Sequence, residues 1–394
     1  MKKTTILCLA FFMILGAMPV MAQQSQSPAQ WGFYGSARMW TSYNHKDAKT
    51  PTGLMGAPGN ARALTGAPTF DDNDIAWQIQ DNSRFGVNVV SGNISGQVEV
   101  GMDAPSSNYE TTRIRILRGT WDFGAGRLLV GQDYTPLYFP VSDQCGFIGG
   151  DCGLMYWGYL YHGRQPEIKL MMGGLQFAAI SPARAGDGGI PAHKYTGPPG
   201  FNAVEYDTIF PEIEASYTFN LGPAALMIGG GYHTHKAVDA LDNDQDIDAW
   251  VLTAGVRTAF GPFYVNGQIT YSQNPVDYGL SQDNLITTAR YVGGNIEDVS
   301  SWRGVLVIGY KISDIMKLEG GFGAIQNKQD QAVGVESKQT TIAYYLQFTC
   351  SPVKNVFFVP EFGYIDYGDL EVAGAPDNDL GRAWYLGMKW QINF

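Results

Sequence analysis

Along most of this chain of 394 residues, large apolar side chains fall on every second position rather than every third or fourth. The terminal stretch shows it most plainly. Reading back from Phe394, the residues Ile392, Trp390, Met388, Leu386 and Trp384 alternate with Asn393, Gln391, Lys389 and Gly387. A two-residue period places each set on its own face of a β-strand. A strand that ends on a terminal aromatic residue, apolar on one face and wet on the other, can close a barrel in a membrane. It can also line the core of a soluble sandwich, so the rest of the chain must decide.

The same alternation recurs in segments of roughly 8–15 residues, the length expected of strands that cross a bilayer. They fall near residues 31–44, 74–90, 94–104, 109–122, 126–133, 164–172, 175–181, 207–220, 223–236, 247–260, 263–274, 300–311, 315–327, 338–350, 355–368 and 380–394. That is about 16 strands, an even number as single-chain bacterial barrels require. In the second half Trp250, Leu252, Ala254 and Val256 oppose Thr253, Gly255 and Arg257, and Val265, Ile269 and Tyr271 oppose Asn266, Gln268 and Thr270. Likewise Met316, Leu318 and Phe322 oppose Lys317 and Glu319. Tyr and Phe recur at strand ends, where interfacial girdles sit.

Connection lengths alternate as well. Short turns at Ser91-Gly92-Asn93, Phe123 to Ala125, Gly173-Gly174, Leu221-Gly222-Pro223, Gly261-Pro262, Ser313-Asp314 and Ser351 to Lys354 are interleaved with long polar connections. The long ones lie near 45–73, 134–163, 182–206, 237–246, 275–299, 328–337 and 369–379. Short turns on one rim and long loops on the other are the arrangement of an outer-membrane barrel. The expected fold is therefore all-β, a transmembrane antiparallel up-and-down β-barrel.

Composition agrees. Charged residues make up 16% of the chain, against Tyr 22, Phe 20, Trp 9 and Gly 49; about 25% charged is usual for soluble domains. Residues 1–22 read as a secretory signal peptide: Lys2 and Lys3, an apolar run from Ile6 to Val20, and a small-residue cleavage site at Ala22. Beyond it no run of about 18 apolar residues could form a spanning helix, so closure into a barrel is the remaining way to satisfy the backbone in lipid. Residues 23–394 are expected to form one barrel domain. The formal charge of −11 becomes −13 without Lys2 and Lys3, which leaves no basic patch for nucleic acid. No phosphate loop, dinucleotide fingerprint, HExxH or nucleophile elbow occurs. With five histidines (His45, His162, His193, His233, His235) and no triad spacing, the chain is not expected to be an enzyme, and no cofactor is implied.

At the level of motif the chain resembles the trimeric general diffusion porins of Gram-negative outer membranes. The resemblance spans the mature chain and rests on Trp31-Gly32-Phe33-Tyr34-Gly35, on Ser83-Arg84-Phe85-Gly86-Val87-Asn88-Val89, on the third long connection and on Phe394. In that family the third loop folds into the pore and its acids face a ladder of arginines. The family's Pro-Glu-Phe-Gly-Gly-Asp corresponds to Gly146-Phe147-Ile148-Gly149-Gly150-Asp151 here, without the Pro and Glu. The resemblance implies a constriction loop at 133–163, a homotrimer, contact with outer-membrane lipid and lipopolysaccharide, and passive diffusion of small hydrophilic solutes. The alternative is a substrate-specific channel for a sugar or an organic anion.

Several residues are candidates for that chemistry. Parity puts Arg38, Arg84, Arg113 and Arg115 on inward faces of neighbouring strands, with Asp143 and Asp151 on the loop as their counter-charges; the plain alternative is scattered lumen salt bridges. Cys145 and Cys152 either form a disulfide in an oxidising compartment or remain thiols. Tyr134, Tyr138, Tyr156, Trp157, Tyr159 and Tyr161 either make a stacking track or pack the loop on the wall. His233 and His235 share a lumen face but lack a third metal ligand, so they read as a polar pore rim. The run Asp242 to Asp248 departs from a calcium loop at Ile247 and lacks a closing Glu, and reads as a solvated acidic loop. Cys350 reads as a small outward residue near a turn. No metal site is expected.

Overall fold

The alternating segments become strands that pair in order. In the computed structural model, residues 28–49, 70–80, 82–102, 112–144, 157–181, 200–201, 203–208, 210–280, 286, 288–332 and 335–394 are described. Strands β1 (Gln30–Ala48), β2 (Phe70–Ile79 and Arg84–Ser91), β3 (Ile94–Met102), β4 (Thr112–Asp122) and β5 (Arg127–Tyr134) lead to the long third loop. After it come β6 (Arg164–Met172), β7 (Leu175–Ile180), β8 (Ala203–Asp207 and Glu212–Leu221), β9 (Ala224–Asp239), β10 (Asp244–Phe260) and β11 (Phe263–Gln273). The last five are β12 (Ser300–Lys311), β13 (Met316–Ala332), β14 (Val335–Cys350), β15 (Val356–Asp366 and Asp369–Val372) and β16 (Asn378–Asp379 and Gly381–Asn393).

Every neighbouring pair is antiparallel, and β16 returns to β1 in register from Ser36↔Asn393 to Ala48↔Gly381. The described residues thus make a closed barrel of 16 strands, as the periodicity predicts. Closure leaves no strand edge for lipid to meet. Four strands differ from the sequence reading in being built of two segments. In β2, Ile79 and Arg84 are separated by a short break at which the Gln80 amide bonds the Arg38 carbonyl at 3.0 Å, so both halves still pair with β1.

The barrel is inside out relative to a soluble protein. On β10 to β12 the outward Leu252 and Ile269 are 60% and 61% exposed, whereas the inward Gln268 and Ser272 are 2% and 0% exposed. On β16 the predicted alternation holds residue by residue, with Leu386, Trp390 and Ile392 outside and Lys389 and Gln391 inside. Phe394 extends this greasy face, its ring lying against Gly35.

The connection 275–299 is more than a surface loop. A 3-10 turn at Pro275–Tyr278 is buried, a small hairpin pairs Arg290–Val292 with Asn295–Glu297, and Tyr278 and Leu280 pack with Ala249, Val251, Leu137 and Leu160. It folds into the mouth and meets the third loop there.

Candidate functional site

The third loop leaves β5 at Tyr134 and runs along the inner wall. The Leu137 amide donates to Glu214 on β8 at 3.2 Å, and Ser216 donates to the Pro136 carbonyl at 2.7 Å. Phe139 lies under Arg257 of β10, 4.5 Å from guanidinium to ring centre, and Asn266 of β11 holds the Val141 carbonyl at 2.8 Å. At β13 the carboxylate of Glu319 accepts from the Asp143 amide at 3.0 Å and from Ser142 Oγ at 3.2 Å. It also accepts from Tyr345 at 2.6 Å and from Gln347 at 3.0 Å. Gln144 then reaches Glu361 and Tyr385 on β15 and β16.

The loop comes back along the same wall. The Leu160 amide bonds Gln268 at 3.1 Å, and His162 meets Glu214 with Nδ1 2.7 Å from Oε1. Small wall residues make room for it: a methyl group on Gly255 would lie 2.6 Å from the Phe139 ring, and one on Gly323 would lie 2.2 Å from the Trp157 carbonyl oxygen. Phe139, Val141, Trp157 and Tyr159 of the loop form one apolar cluster with Val305, Val307 and Ile325 of the wall. A loop of about 30 residues is too long for a hairpin connection; here its length is used to line half of the barrel from β8 to β16.

Across the lumen lie the predicted arginines. Arg84, Gly101 and Arg113 are cross-strand partners on β2, β3 and β4, so the two guanidiniums flank a position without a side chain. Arg115 Nε donates to Glu99 Oε1 at 2.8 Å with both side chains buried, and Arg84 lies 3.7 Å from the same oxygen. Tyr34 donates to the other oxygen of Glu99 at 2.9 Å. Arg38 is buried one strand over and donates to Ser36 at 2.7 Å.

Parity alone did not find all of this wall. A β-bulge sits where the β4 register jumps from Ile116 to Ile114 opposite Glu99 and Val100. The extra residue is Arg115. Beyond the bulge the alternation inverts, so Arg118 also turns inward and pairs with Asp133 of β5. Gln132 supports the bulge by donating to the Ile114 and Arg115 carbonyls at 2.9 and 3.1 Å. Gly131, with φ of +133°, lets β5 approach so closely that a methyl group there would meet the Leu117 carbonyl oxygen at 2.1 Å. In sequence the bulge shows only as the adjacent apolar pair Ile116 and Leu117 between Arg115 and Arg118, where the alternation slips by one residue. Glu99 and Asp133, by contrast, sit on regular inward parity and were legible.

The counter-charges therefore differ from the sequence expectation. Glu99 and Asp133, on the arginine wall itself, hold Arg84, Arg115 and Arg118. Asp143 of the loop pairs with Lys317 of β13. Asp151, Cys145 and Cys152 lie outside the described residues, as do Tyr156 and the whole of residues 1–22.

The loop aromatics divide. Trp157 and Tyr159 are buried against the wall. Tyr134, Tyr138 and Tyr161 are half-buried, with Tyr134 and Tyr138 stacked at 4.2 Å and Tyr138 and Tyr161 edge-on at 5.9 Å. Arg164 donates to the hydroxyls of Tyr134 and Tyr161 at 3.2 and 3.1 Å. Burial pushes the Tyr161 hydroxyl up to about 12, against the opposing pull of the Arg164 guanidinium and, more weakly, of Arg115 and Arg113. This cluster thus stands within the field of the arginine wall.

His233 and His235 are stacked at 5.7 Å. They are 1% and 4% exposed rather than set on an open rim, and His235 lies beside Val276, Asp277, Thr288 and Ala289 of the inward-folded segment. The acidic run is a tight turn: Asp239 caps the amides of Leu241 and Asn243 at 2.8 and 2.9 Å, and Lys236 pairs with Asp244 and Asp246. Cys350 is a half-buried thiol beside the 351–354 turn.

No family model and no curated relative matches this chain. Solved structures do. The outer membrane channel DcaP of Acinetobacter baumannii superposes with a TM-score of 0.64 at 15% identity, covering 95% of this chain and 100% of that one. The outer-membrane expressed OmpT of Vibrio cholerae gives 0.55 at 15% identity over 94% of this chain and 100% of that one. An anion-selective porin from Comamonas acidovorans gives 0.55 at 13% identity over 93% and 100%. The chain has the fold of the outer-membrane porins, a closed 16-stranded barrel with its third loop inside.

Proposed function

We propose that this protein is an outer-membrane porin, a water-filled channel through which small hydrophilic solutes and ions diffuse passively. The observation that carries the reading is the asymmetry of the lumen. One half of the wall, β8 to β16, is covered by a loop bound at three buried carboxylates, Glu214, Glu319 and Glu361. The other half keeps Arg38, Arg84, Arg113, Arg115 and Arg118 facing inward. A polar passage between a fixed loop and a charged wall, enclosed in an apolar belt, has little use other than conduction. Ordered water between the two sides would be oriented by the guanidiniums and their acids, which favours dipolar solutes over apolar ones. Arg keeps its charge at any physiological pH, so this field is permanent.

The protein is exported by residues 1–22, lies among the lipid and lipopolysaccharide of the outer membrane, and forms a homotrimer. The small outward residues Gly35, Ala37 and Gly96, with Val87 and Val98, support close packing of β1 to β3 around a three-fold axis. One structural neighbour, OmpT of Vibrio cholerae, is also known in a trimer form. Native mass measurement in mild detergent should return three chains; a monomer alone refutes the assembly.

A second reading, a channel specific for a sugar or an organic anion, is favoured by the half-buried stack of Tyr134, Tyr138 and Tyr161 beside Arg164. An aromatic face and a guanidinium suit an apolar ring bearing hydroxyl or carboxylate groups. Single-channel recording in planar bilayers, with liposome uptake of sugars and dicarboxylates of graded size, separates the two. Stepwise conductance with uptake governed by size alone is expected of the general channel. Saturable block by one solute class replaces that reading with the specific one, and the absence of conductance steps overturns both.

A further inference from the structure

The return end of the third loop is fastened to the wall by a group of side chains unlike its other anchors. His162 stands between Glu212 and Glu214 of β8, its Nδ1 at 3.4 Å from Glu212 Oε1 and 2.7 Å from Glu214 Oε1. The two glutamates are i and i+2 on one strand, so both point inward. All three side chains are buried, and their ligand atoms lie within 4.8 Å of one another.

Charge is the difficulty. A carboxylate removed from water must be paired or bound to a metal. The cations on the adjoining wall already have acids: Lys169 is 2.7 Å from Glu167 and 3.5 Å from Asp133, and Arg118 pairs with Asp133. Asp277 of the 275–299 segment adds a further buried acid to the same neighbourhood. The cluster thus gathers buried carboxylates around one imidazole, a donor set that suits a cation.

An independent feature points into the same spot. Tyr278 is 0% exposed, and its hydroxyl has no hydrogen-bond partner among the described residues. Its ring packs edge-on to His162 at 5.5 Å. A methyl group on Gly231 would touch both the Tyr278 hydroxyl, at 3.1 Å, and Glu214 Cγ, at 3.2 Å, so the phenol and the Glu214 side chain are neighbours.

We propose that His162, Glu212 and Glu214 bind one divalent transition-metal ion, and that this ion staples the return end of the third loop to β8. One imidazole nitrogen and two carboxylate oxygens suit zinc, with bonds of about 2.0–2.2 Å. Small shifts of two glutamate side chains suffice to bring ligand atoms at the present spacings to those lengths. The ion takes the place of the proton shared by His162 and Glu214, which leaves to solvent; no electron is transferred. A water in the fourth position would accept the hydrogen bond that the Tyr278 hydroxyl makes to none of the described residues. The assignment is independent of whether the channel is general or specific.

The full-length protein, stripped with a chelator and then dialysed against zinc chloride, tests this. We expect about one zinc per chain to survive gel filtration, measured by mass spectrometry of the metal, and at least a tenfold loss of affinity in each of Glu212→Gln and His162→Gln. Zinc should raise the midpoint of thermal unfolding in the natural chain and in neither variant. Heat-modifiable migration on gels reports whether each variant folds. Should one fail to fold, cobalt(II) added to the natural chain decides alone: visible d–d absorption characteristic of low-coordinate nitrogen and oxygen ligation supports the site. A natural chain that retains no more zinc than the variants, or that leaves cobalt in its aqueous spectrum, overturns the proposal and leaves a proton-linked cluster only.

Discussion

The two halves of the lumen use charge in opposite ways. On β8 to β16 the buried carboxylates Glu214, Glu319 and Glu361 are turned to holding a loop, accepting bonds from its amides and side chains. On β1 to β5 the acids Glu99 and Asp133 hold a buried Arg115 and the partly exposed Arg84 and Arg118. The residue types are similar, so composition does not separate the two walls. What separates them is what lies opposite: packed loop on one side, open lumen on the other. The same carboxylate is thus a structural anchor in one half and a tuner of the pore field in the other.

Breaking an anchor should have the largest effect. Glu319→Ala takes the Glu319 acceptor from Tyr264, Gln347 and the Asp143 amide, leaves Ser142 and Tyr345 bonded to each other, and leaves Lys317 without one of its two acids. We expect a loss of about 3–5 kcal/mol in denaturant unfolding and noisy, enlarged single-channel currents. Quiet, unchanged currents would show that Glu319 does not position the loop.

Next in size is the bulge that shapes the opposite wall. Gly131→Ala must strain the β5 backbone or push β4 away, at a cost of about 1–3 kcal/mol. Because Arg115 and Arg118 are both inward only through that bulge, ion preference should move along with stability. A variant as stable as the natural chain would mean the close approach is not required.

Removing the field itself should be felt more in permeation than in stability: Arg115 leaves a buried pair with Glu99, but Arg84 and Tyr34 stay on that carboxylate. Arg113→Ala with Arg115→Ala leaves Glu99 with the Arg84 guanidinium and the Tyr34 hydroxyl, so the passage should widen and shift toward cations. One charge pair at about 4 Å in water is worth about 1 kcal/mol, or roughly a fivefold change in permeability ratio. Reversal potentials in a salt gradient measure it, and an unmoved potential reduces these arginines to ordinary wall residues.

The smallest effect belongs to the tyrosines. Tyr134→Ala removes one stack, about 0.5 kcal/mol at the low end for aromatic pairs, and should leave salt conductance nearly unchanged. Weaker block by aromatic or sugar solutes would favour the specific channel, while identical solute behaviour keeps the general one.

Much of this was legible in order along the chain. Period-two alternation located every barrel strand, and the alternation of short turns with long connections placed the loops on one rim. Both signals are local, because each side chain on a spanning strand meets either lipid or lumen. One further clue was present but unread: Val305, Leu306, Val307 and Ile308 are apolar on both faces, the mark of a strand covered on both sides. It marks where the third loop docks, since Val305 and Val307 pack against it. The inward fold of the 275–299 segment had no such marker.

The sequence by itself determined the barrel, its strand order, and which residues face inward wherever alternation runs unbroken, because these follow from a two-residue period and the need to satisfy every backbone group in lipid. Only the tertiary structure decided which inward charges meet. The pairing of Asp143 with Lys317 and the meeting of His162 with Glu212 and Glu214 each join segments far apart in the chain. No periodic pattern carries that information, since it arises only when the sheet closes and its loop folds back inside.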